Sequence, residues 1–348
     1  MLGAHGDLGG RMRVTIADVA RRARVSKATV SRVLNNRGEV DAGTAVRVRE
    51  VIAATGYTPS AGAVGLARGR TQTVGVLVPH LTCPWMGDVL QGVSDVLEAH
   101  GYGLLLHTMN RGADSVTRFT RHVSGNAFDG LLLVEPPDPL SCLTGLRESG
   151  FPVVVVDDGD DGDGDGDGDH PGFPSVATSN RAGATAAATH LLATGRTRPV
   201  VIPGPAALGR TRARTEGFRT PFTAAGHPTP HHVEADPTRA GGRTAITALL
   251  AENHEFDSVF THNDLTAAGV LDALHEAHVD VPTQVAVIGF DDIDLAAHTQ
   301  PPLTTVRRPS REMGEAAATI LLANLAGAPF PTTPEIIPTE LIVRASAP

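Results

Sequence analysis

From Thr73 onward the chain repeats one pattern: a run of Val, Leu and Ile too apolar for any surface, followed by a stretch with helical spacing. The runs are TVGVLVP (73–79), GLLLHT (103–108), GLLLVE (130–135), PVVVVD (152–157), PVVIPG (199–204), SVFTHN (258–263) and VAVIGF (285–290). Helical stretches lie between them, among them 89–100, 181–194, 241–252 and 265–278. A strand apolar on both faces must be covered on both, so this order predicts parallel sheets sandwiched by helices. The number of units predicts two such lobes. Ligands of doubly wound sheets sit beyond the carboxyl ends of the strands, so two facing lobes predict a binding cleft between them.

A different texture precedes Thr73. In TIADVARRARVSKATVSRVLNN, Thr15 is placed to N-cap a helix with Asp18 in its first turn. Ile16, Val19, Ala20 and Ala23 share one face of that helix, and Arg24-Val25 is the turn after it. Ser26 caps a second helix that buries Val30, Val33 and Leu34 while Lys27, Ala28, Ser31 and Arg32 point outward. A third runs from about Asp41 to Thr55 with Val48, Val51 and Ile52 inward, and Gly56 is its stop. Three short helices of this kind predict an all-α helix-turn-helix module.

Charge separates the two parts. The formal net charge is -9, which taken alone argues against nucleic acid. Residues 11–70, however, hold 12 Lys+Arg against 4 Asp+Glu, whereas residues 71–348 hold 17 against 33. A small basic head on an acidic body is the pattern expected when only the head meets phosphate. Aromatic residues are only 4%, so Val, Leu, Ala and Ile must fill the core. Cys83 and Cys142 are too few for a disulfide framework, and they fit a reducing cytoplasm. No run is long and apolar enough for a membrane span, and the first residues have no secretory apolar region. The expected organisation is a disordered leader (1–11, with Met12 as an alternative start), a helix-turn-helix domain (12–58), a hinge (59–71) and a two-lobed domain (72–348). An acidic Asp-Gly loop (158–169) interrupts the last.

Several patterns suggest other chemistry and fall short of it. GPAALGRT (204–211) resembles a phosphate loop, but Arg210 stands where the lysine is needed, and an ordinary lobe-linking loop is the plainer reading. Asp163, Asp165, Asp167 and Gly168 fit the first positions of a calcium loop, yet Pro174 stands at the twelfth. His227, His231 and His232 lie in a Pro-rich turn and read as a solvated loop. The sequence holds no Gly-x-Ser-x-Gly, His-Glu-x-x-His or paired-Cys motif, and it predicts no metal, no cofactor and no enzyme.

The chain from Thr15 on resembles the lactose-repressor (LacI/GalR) family of bacterial regulators. TIADVA, VSKATVSRVLN, GYTPS, TVGVLVP, FDGLLL, SNRAG, REMGEAAA and PTELIVR carry the resemblance, with HND (262–264) and GFDDIDLAAHTQPPLTTVRR (289–308) the most diagnostic. The resemblance implies a periplasmic-binding-protein-like, two-lobed effector domain. It also places the second helix in the major groove, with Lys27, Ala28 and Arg32 at base edges. Arg and Lys can donate to guanine, and Ala28 can touch a thymine methyl. Thr15, Ser26, Thr29, Ser31 and Asn35 are suited to positioning on phosphates. Arg24 departs from the family's glycine, so it either strains a left-handed position or adds a phosphate contact. In the hinge, Leu66 matches a minor-groove wedge and Ala63 packs against the partner hinge. Gly62 and Gly65 weaken that helix by about 1 kcal/mol each relative to Ala.

For the cleft, the resemblance implies that Asp157, Arg214, Asn263 and Asp291 contact a small effector. Their carboxylates, amide and guanidinium suit a sugar or sugar phosphate. Trp85, the only tryptophan, can stack on the apolar face of a sugar or serve the packing alone. The expected function is a homodimeric, cytoplasmic, sequence-specific regulator, a repressor in the first instance, bound to double-stranded operator DNA and set by its effector. A purine, another metabolite or a protein co-regulator is the alternative effector. A periplasmic-type sugar-binding protein and an enzyme on the same two-lobed scaffold are the rival classes.

Overall fold

The structure, a computed structural model, describes residues 14–35, 38, 40–58, 70–124, 127–135, 141–157, 173–206 and 208–348. The expected leader, hinge positions 59–69 with Ala63 and Leu66, and the Asp-Gly loop lie outside the described residues. The chain divides into two compact units, one ending at Thr71 and the other running from Gln72 to Pro348.

The first unit is three helices: α1 (Ile16–Ala23), α2 (Lys27–Leu34) and α3 (Ala42–Thr55). Thr15 and Asp18 form a reciprocal capping box, Ser26 Oγ accepts from the Thr29 amide, and Asp41 caps α3 through the Thr44 amide. These caps satisfy amides that helix starts would leave unpaired. Val19, Ala20, Ala23, Val30, Val33 and Val48 are buried together, with Ile16, Leu34, Val51 and Ile52 packed against them. The expected apolar faces are those observed.

The second unit holds two six-stranded sheets. The first lobe contains β1 (Thr73–Val78), α4 (Met86–Ala99), β2 (Gly103–Thr108), α5 (Ala113–Ser124), β3 (Gly130–Val134), α6 (Ser141–Glu148), β4 (Val153–Val156) and β5 (Ser175–Thr178). The second contains α7 (Asn180–Ala193), β6 (Pro199–Ile202), α8 (Gly209–Ala224), β7 (His231–His232), α9 (Arg239–Ala251), β8 (Ser258–Thr261), α10 (Asp264–Glu276), β9 (Ala286–Asp291), α11 (Asp294–His298) and β10 (Thr304–Arg307). The chain then returns to the first lobe with α12 (Ser310–Leu325) and β11 (Glu335–Ile337), and ends in the second with β12 (Glu340–Ile342). Strand orders are β11-β5-β4-β3-β1-β2 and β12-β10-β9-β8-β6-β7.

The lobes therefore exchange chain at Ser179, at Arg308–Pro309 and at Pro338–Thr339. Two of these crossings are tied together: Ser179 Oγ accepts from the Thr339 amide at 2.9 Å, and Thr339 Oγ1 donates to the Ser179 carbonyl at 3.0 Å. Each lobe has its own core on both faces of its sheet. Glycines set the helix spacing, because a methyl group on Gly92 of α4 would strike the Arg311 carbonyl, and one on Gly314 of α12 the Val89 carbonyl.

Three expectations change. The sheets are not wholly parallel, since β12 runs antiparallel to β10. His231 and His232 form an edge strand beside β6, although they remain exposed as expected of a loop. GPAALGRT does not link the lobes along the chain; it leads β6 into α8 within the second lobe. Strands β5, β7, β10, β11 and β12 carried no signal because they are short, and several are rich in Thr, Ser, His or Glu.

Candidate functional sites

In the first unit, α2 presents Lys27, Ala28 and Arg32 to solvent while Val30 and Val33 anchor its opposite face. The polar positions around them are already hydrogen-bonded within the unit. Ser26 Oγ lies 2.9 Å from Thr29 Oγ1, and Asn35 Nδ2 donates to the Ser31 carbonyl at 2.9 Å. Thr15, Ser26, Thr29, Ser31 and Asn35 thus fix the helix ends. Arg24 ends α1 at φ 56° and ψ 45°, the left-handed position that favours glycine. Arg47 of α3 donates to the Ala23 carbonyl at 3.1 Å and holds the end of α1 against α3.

In the second unit a cavity of about 530 Å³ lies between the lobes. The first lobe supplies Pro79, His80 and Thr82 to Trp85 after β1 and Glu135 after β3, while the second supplies Arg210 and Arg214 of α8, His262 and Asn263 after β8, and Asp291 of β9. Arg308, after β10, closes the wall. All of these lie at or beyond carboxyl ends of strands or in the helix that follows, where doubly wound sheets bind ligands. A larger depression of about 910 Å³ opens on the second lobe alone, beside Arg181, Thr211, Arg212, Glu216, His232 and Glu234. It receives nothing from the first lobe, so a ligand there has no direct hold on the angle between lobes.

The polar groups of the cavity are buried and heavily paired. Arg214 donates through Nε to Asn180 Oδ1 at 2.8 Å and through Nη1 to the His262 carbonyl at 2.6 Å. Its carbon centre lies 3.6 Å over the Phe290 ring, and Nη2 stands 3.7 Å from Asp291 Oδ1, too far for a good hydrogen bond. Burial lowers the Arg214 pKa to about 9 and raises that of Asp291, with Asp291 and Arg214 each offsetting the shift of the other. Asn263 caps α10 through the Thr266 amide and donates to the Pro237 carbonyl at 3.1 Å. Behind the wall Asp264 accepts from Thr305 Oγ1 at 2.5 Å and from the Ile293 amide at 2.9 Å. Burial, and then the charge of Asp291, hold its pKa well above the usual carboxylate range. Buried His262 is held well below the usual imidazole range, so it is neutral.

Of the expected effector contacts, Trp85, Arg214, Asn263 and Asp291 line the cavity. Asp157 does not. Its carboxylate is sealed behind the wall, accepting from Arg210 Nη1 at 3.0 Å and pairing with Arg308 Nη2 at 2.9 Å. The Trp85 ring is covered on one face by the Arg308 guanidinium at 4.1 Å. The sequence reading missed Arg210, Arg308 and Glu135. Arg210 of the second lobe pairs with both Glu135 and Asp157 of the first, an ionic bridge across the cleft with all three side chains buried. The signal available for Arg210 was its failure to fit a phosphate loop. Arg308 stood within the family-like TTVRR, where nothing singles it out.

Comparison with known proteins bears on both units. Residues 15–60 match the family described as bacterial regulatory proteins, lacI family, and residues 188–347 match a periplasmic binding protein-like domain. The ribose operon repressor of Escherichia coli (strain K12) is 34% identical over 316 residues, which is 88% of this chain and 92% of the repressor. The structure of a transcriptional regulator CelR–cellobiose complex superposes with a TM-score of 0.71 at 30% identity, covering 96% of this chain and 100% of that one. The lac repressor dimer bound to operator and the anti-inducer ONPF shares the fold, with a TM-score of 0.82 at 23% identity over 96% of this chain and 99% of its own.

Proposed function

The chain belongs to the lacI family of bacterial regulatory proteins, and from that premise we propose that it is a repressor that binds a pseudo-palindromic operator as a homodimer and is set by a sugar or sugar phosphate between its lobes. The observation that carries the reading is the pairing, in one chain, of an exposed Lys27/Ala28/Arg32 face on a capped helix with a polar cavity that two lobes build together. Arg32 and Lys27 are exposed and can donate to guanine edges, and Ala28 leaves room for a thymine methyl. Helix-turn-helix dimers read half-sites one helical turn apart, which accounts for the palindrome. Ala63 and Leu66 are assigned the hinge contact and the minor-groove wedge. Thr15, Ser26, Thr29, Ser31 and Asn35 hold the reading helix in register while their remaining hydrogen-bonding capacity meets phosphate.

In the cavity Asp291, Arg214 and Asn263 are assigned to the effector hydroxyls. Asp291 Oδ1 and Arg214 Nη2 are buried and lack hydrogen-bond partners among the described residues, and a polyol satisfies an acceptor and a donor placed side by side. A relative of 30% identity in complex with cellobiose supports a carbohydrate. Effector and DNA then couple through the angle between lobes, reciprocally and by about 1–3 kcal/mol. The test is selection of bound duplexes from a random pool, followed by a metabolite screen for release. Enrichment of one palindromic site, released by a sugar, is expected. A purified dimer with equal affinity for all duplexes in modest salt refutes the regulator reading.

A further inference from the structure

Glu135 and Asp157 immediately follow β3 and β4, adjacent parallel strands in register through Val134 and Val156. Both residues have positive φ, 44° and 62°. Their carboxylates meet the same nitrogen, Arg210 Nη1. Asp157 has a second cation in Arg308, whereas among the described residues Glu135 has an ion pair with Arg210 alone. Glu135 lines the cavity and Asp157 does not. Arg308, also in the wall, has Nε and Nη1 buried without a partner among the described residues. Two buried donors on a guanidinium are costly to leave unpaired, and a charged acceptor is the strongest partner either can take.

Resting on the reading of the cavity as an effector site, we propose that the effector carries an anionic group, a carboxylate or a phosphate, which docks on Arg210 and Arg308 in place of the Glu135 carboxylate. Glu135 is the charge the site can most easily give up, because it is the less firmly held of two carboxylates that compete for one nitrogen. Burial pushes Glu135 up to about 7, with Arg210 opposing and the charge of Asp157 reinforcing the shift, while Arg308 and Arg210 hold Asp157 low. The other charged groups of the site are Arg308 beside β10, Arg214 on α8 and Asp291 on β9, with the Cys83 thiol, which burial first and Glu135 second push up to about 11. With Glu135 protonated, Arg210, Arg214 and Arg308 face only Asp157 and Asp291, and one positive charge is in excess. An incoming anion supplies the missing negative charge, and above pH 7 its binding brings one proton onto Glu135.

The probe is sodium sulfate, an anion that does not titrate in the range used, added to the full chain at constant ionic strength from pH 6 to 8.5. Trp85 fluorescence and thermal unfolding follow binding. Affinity is expected to fall about tenfold per pH unit above 7, as linkage to one proton requires. Glu135→Gln is expected to abolish that dependence and to bind about tenfold more tightly than wild type at pH 8. Arg210→Met is expected to lose at least tenfold, and Arg198→Met, at an exposed pair with Glu255, to change nothing. A sulfate affinity independent of pH and unaltered by Glu135→Gln overturns the proposal even if Arg210→Met fails to fold. Glucose, glucose 6-phosphate and gluconate complete the test. Binding of either anionic sugar, with glucose excluded, supports the proposal and tells phosphate from carboxylate. Binding of glucose alone overturns it while leaving a sugar effector standing. Sulfate binding with no sugar binding upholds the anion site and removes the sugar.

Discussion

Replacing Asp157 with Asn keeps the shape of a side chain with no exposed surface and removes only its charge. In the folded protein that charge serves Arg210 at 3.0 Å and Arg308 at 2.9 Å, and the Arg308 side chain is likewise wholly buried. Removing one partner of a buried ion pair leaves an uncompensated charge and costs about 3–5 kcal/mol. Glu135 can ionise to recover part of this on Arg210, but it has no ion pair with Arg308, so the low end of that range is expected. An exposed pair is the control: Glu255→Gln, which frees Arg198, is expected to cost below about 1 kcal/mol because solvent screens it.

The pH dependence has a defined sign. Against its burial, Arg308 and Arg210 hold Asp157 down to about 2, below the ordinary aspartate value of about 3.9, so its contribution is complete above that ordinary value and fades as pH falls toward 2. Wild type therefore loses stability across that window, and Asp157→Asn loses correspondingly less. Urea unfolding followed by Trp85 fluorescence is the assay, since the single tryptophan lies under Arg308. A loss below about 1 kcal/mol at pH 7 refutes the reasoning, for it means that the buried arginines do not depend on this carboxylate.

Three further outcomes are expected. Arg32→Ala costs about 1–3 kcal/mol on the selected operator and little on random DNA in a salt-matched binding assay, and an equal loss on both assigns Arg32 to phosphate alone. Arg24→Gly stabilises the first unit by about 0.5–1 kcal/mol in thermal unfolding, because glycine relieves the left-handed backbone but loses more entropy on folding; a loss of stability shows that the arginine side chain holds something there. Within α4, Gly92→Ala costs about 1–3 kcal/mol because its methyl meets the Arg311 carbonyl. Gly87→Ala, facing open space in the same helix, is neutral or gains up to about 1 kcal/mol, and equal effects at the two sites argue against the close helix approach.

The three-helix head, its caps at Thr15 and Ser26 and the outward set Lys27, Ala28 and Arg32 were legible because each depends on residues within a helical turn or two. The apolar strands of both lobes were legible for the same reason, since burial on two faces writes itself into a continuous Val and Leu run. Strands such as β10 (Thr304–Arg307) were not, because Thr304 and Thr305 are buried by spending their hydroxyls on distant partners, Arg344 and Ala347 carbonyls and Asp264. Chain order likewise gave no sign that α12 goes back to the first lobe or that β12 reverses direction.

The sequence by itself determined the helix-turn-helix module, two doubly wound lobes and the place where strand ends must face each other. Only the tertiary structure decided which charges meet there. Arg210 and Asp157 are 53 residues apart and share no local pattern, yet folding brings them together with Glu135 and Arg308 in one buried cluster. Periodicity and capping act over a few residues and survive in the one-dimensional text. Desolvation and ion pairing belong to whatever groups the folded chain encloses together, and no stretch of sequence records that.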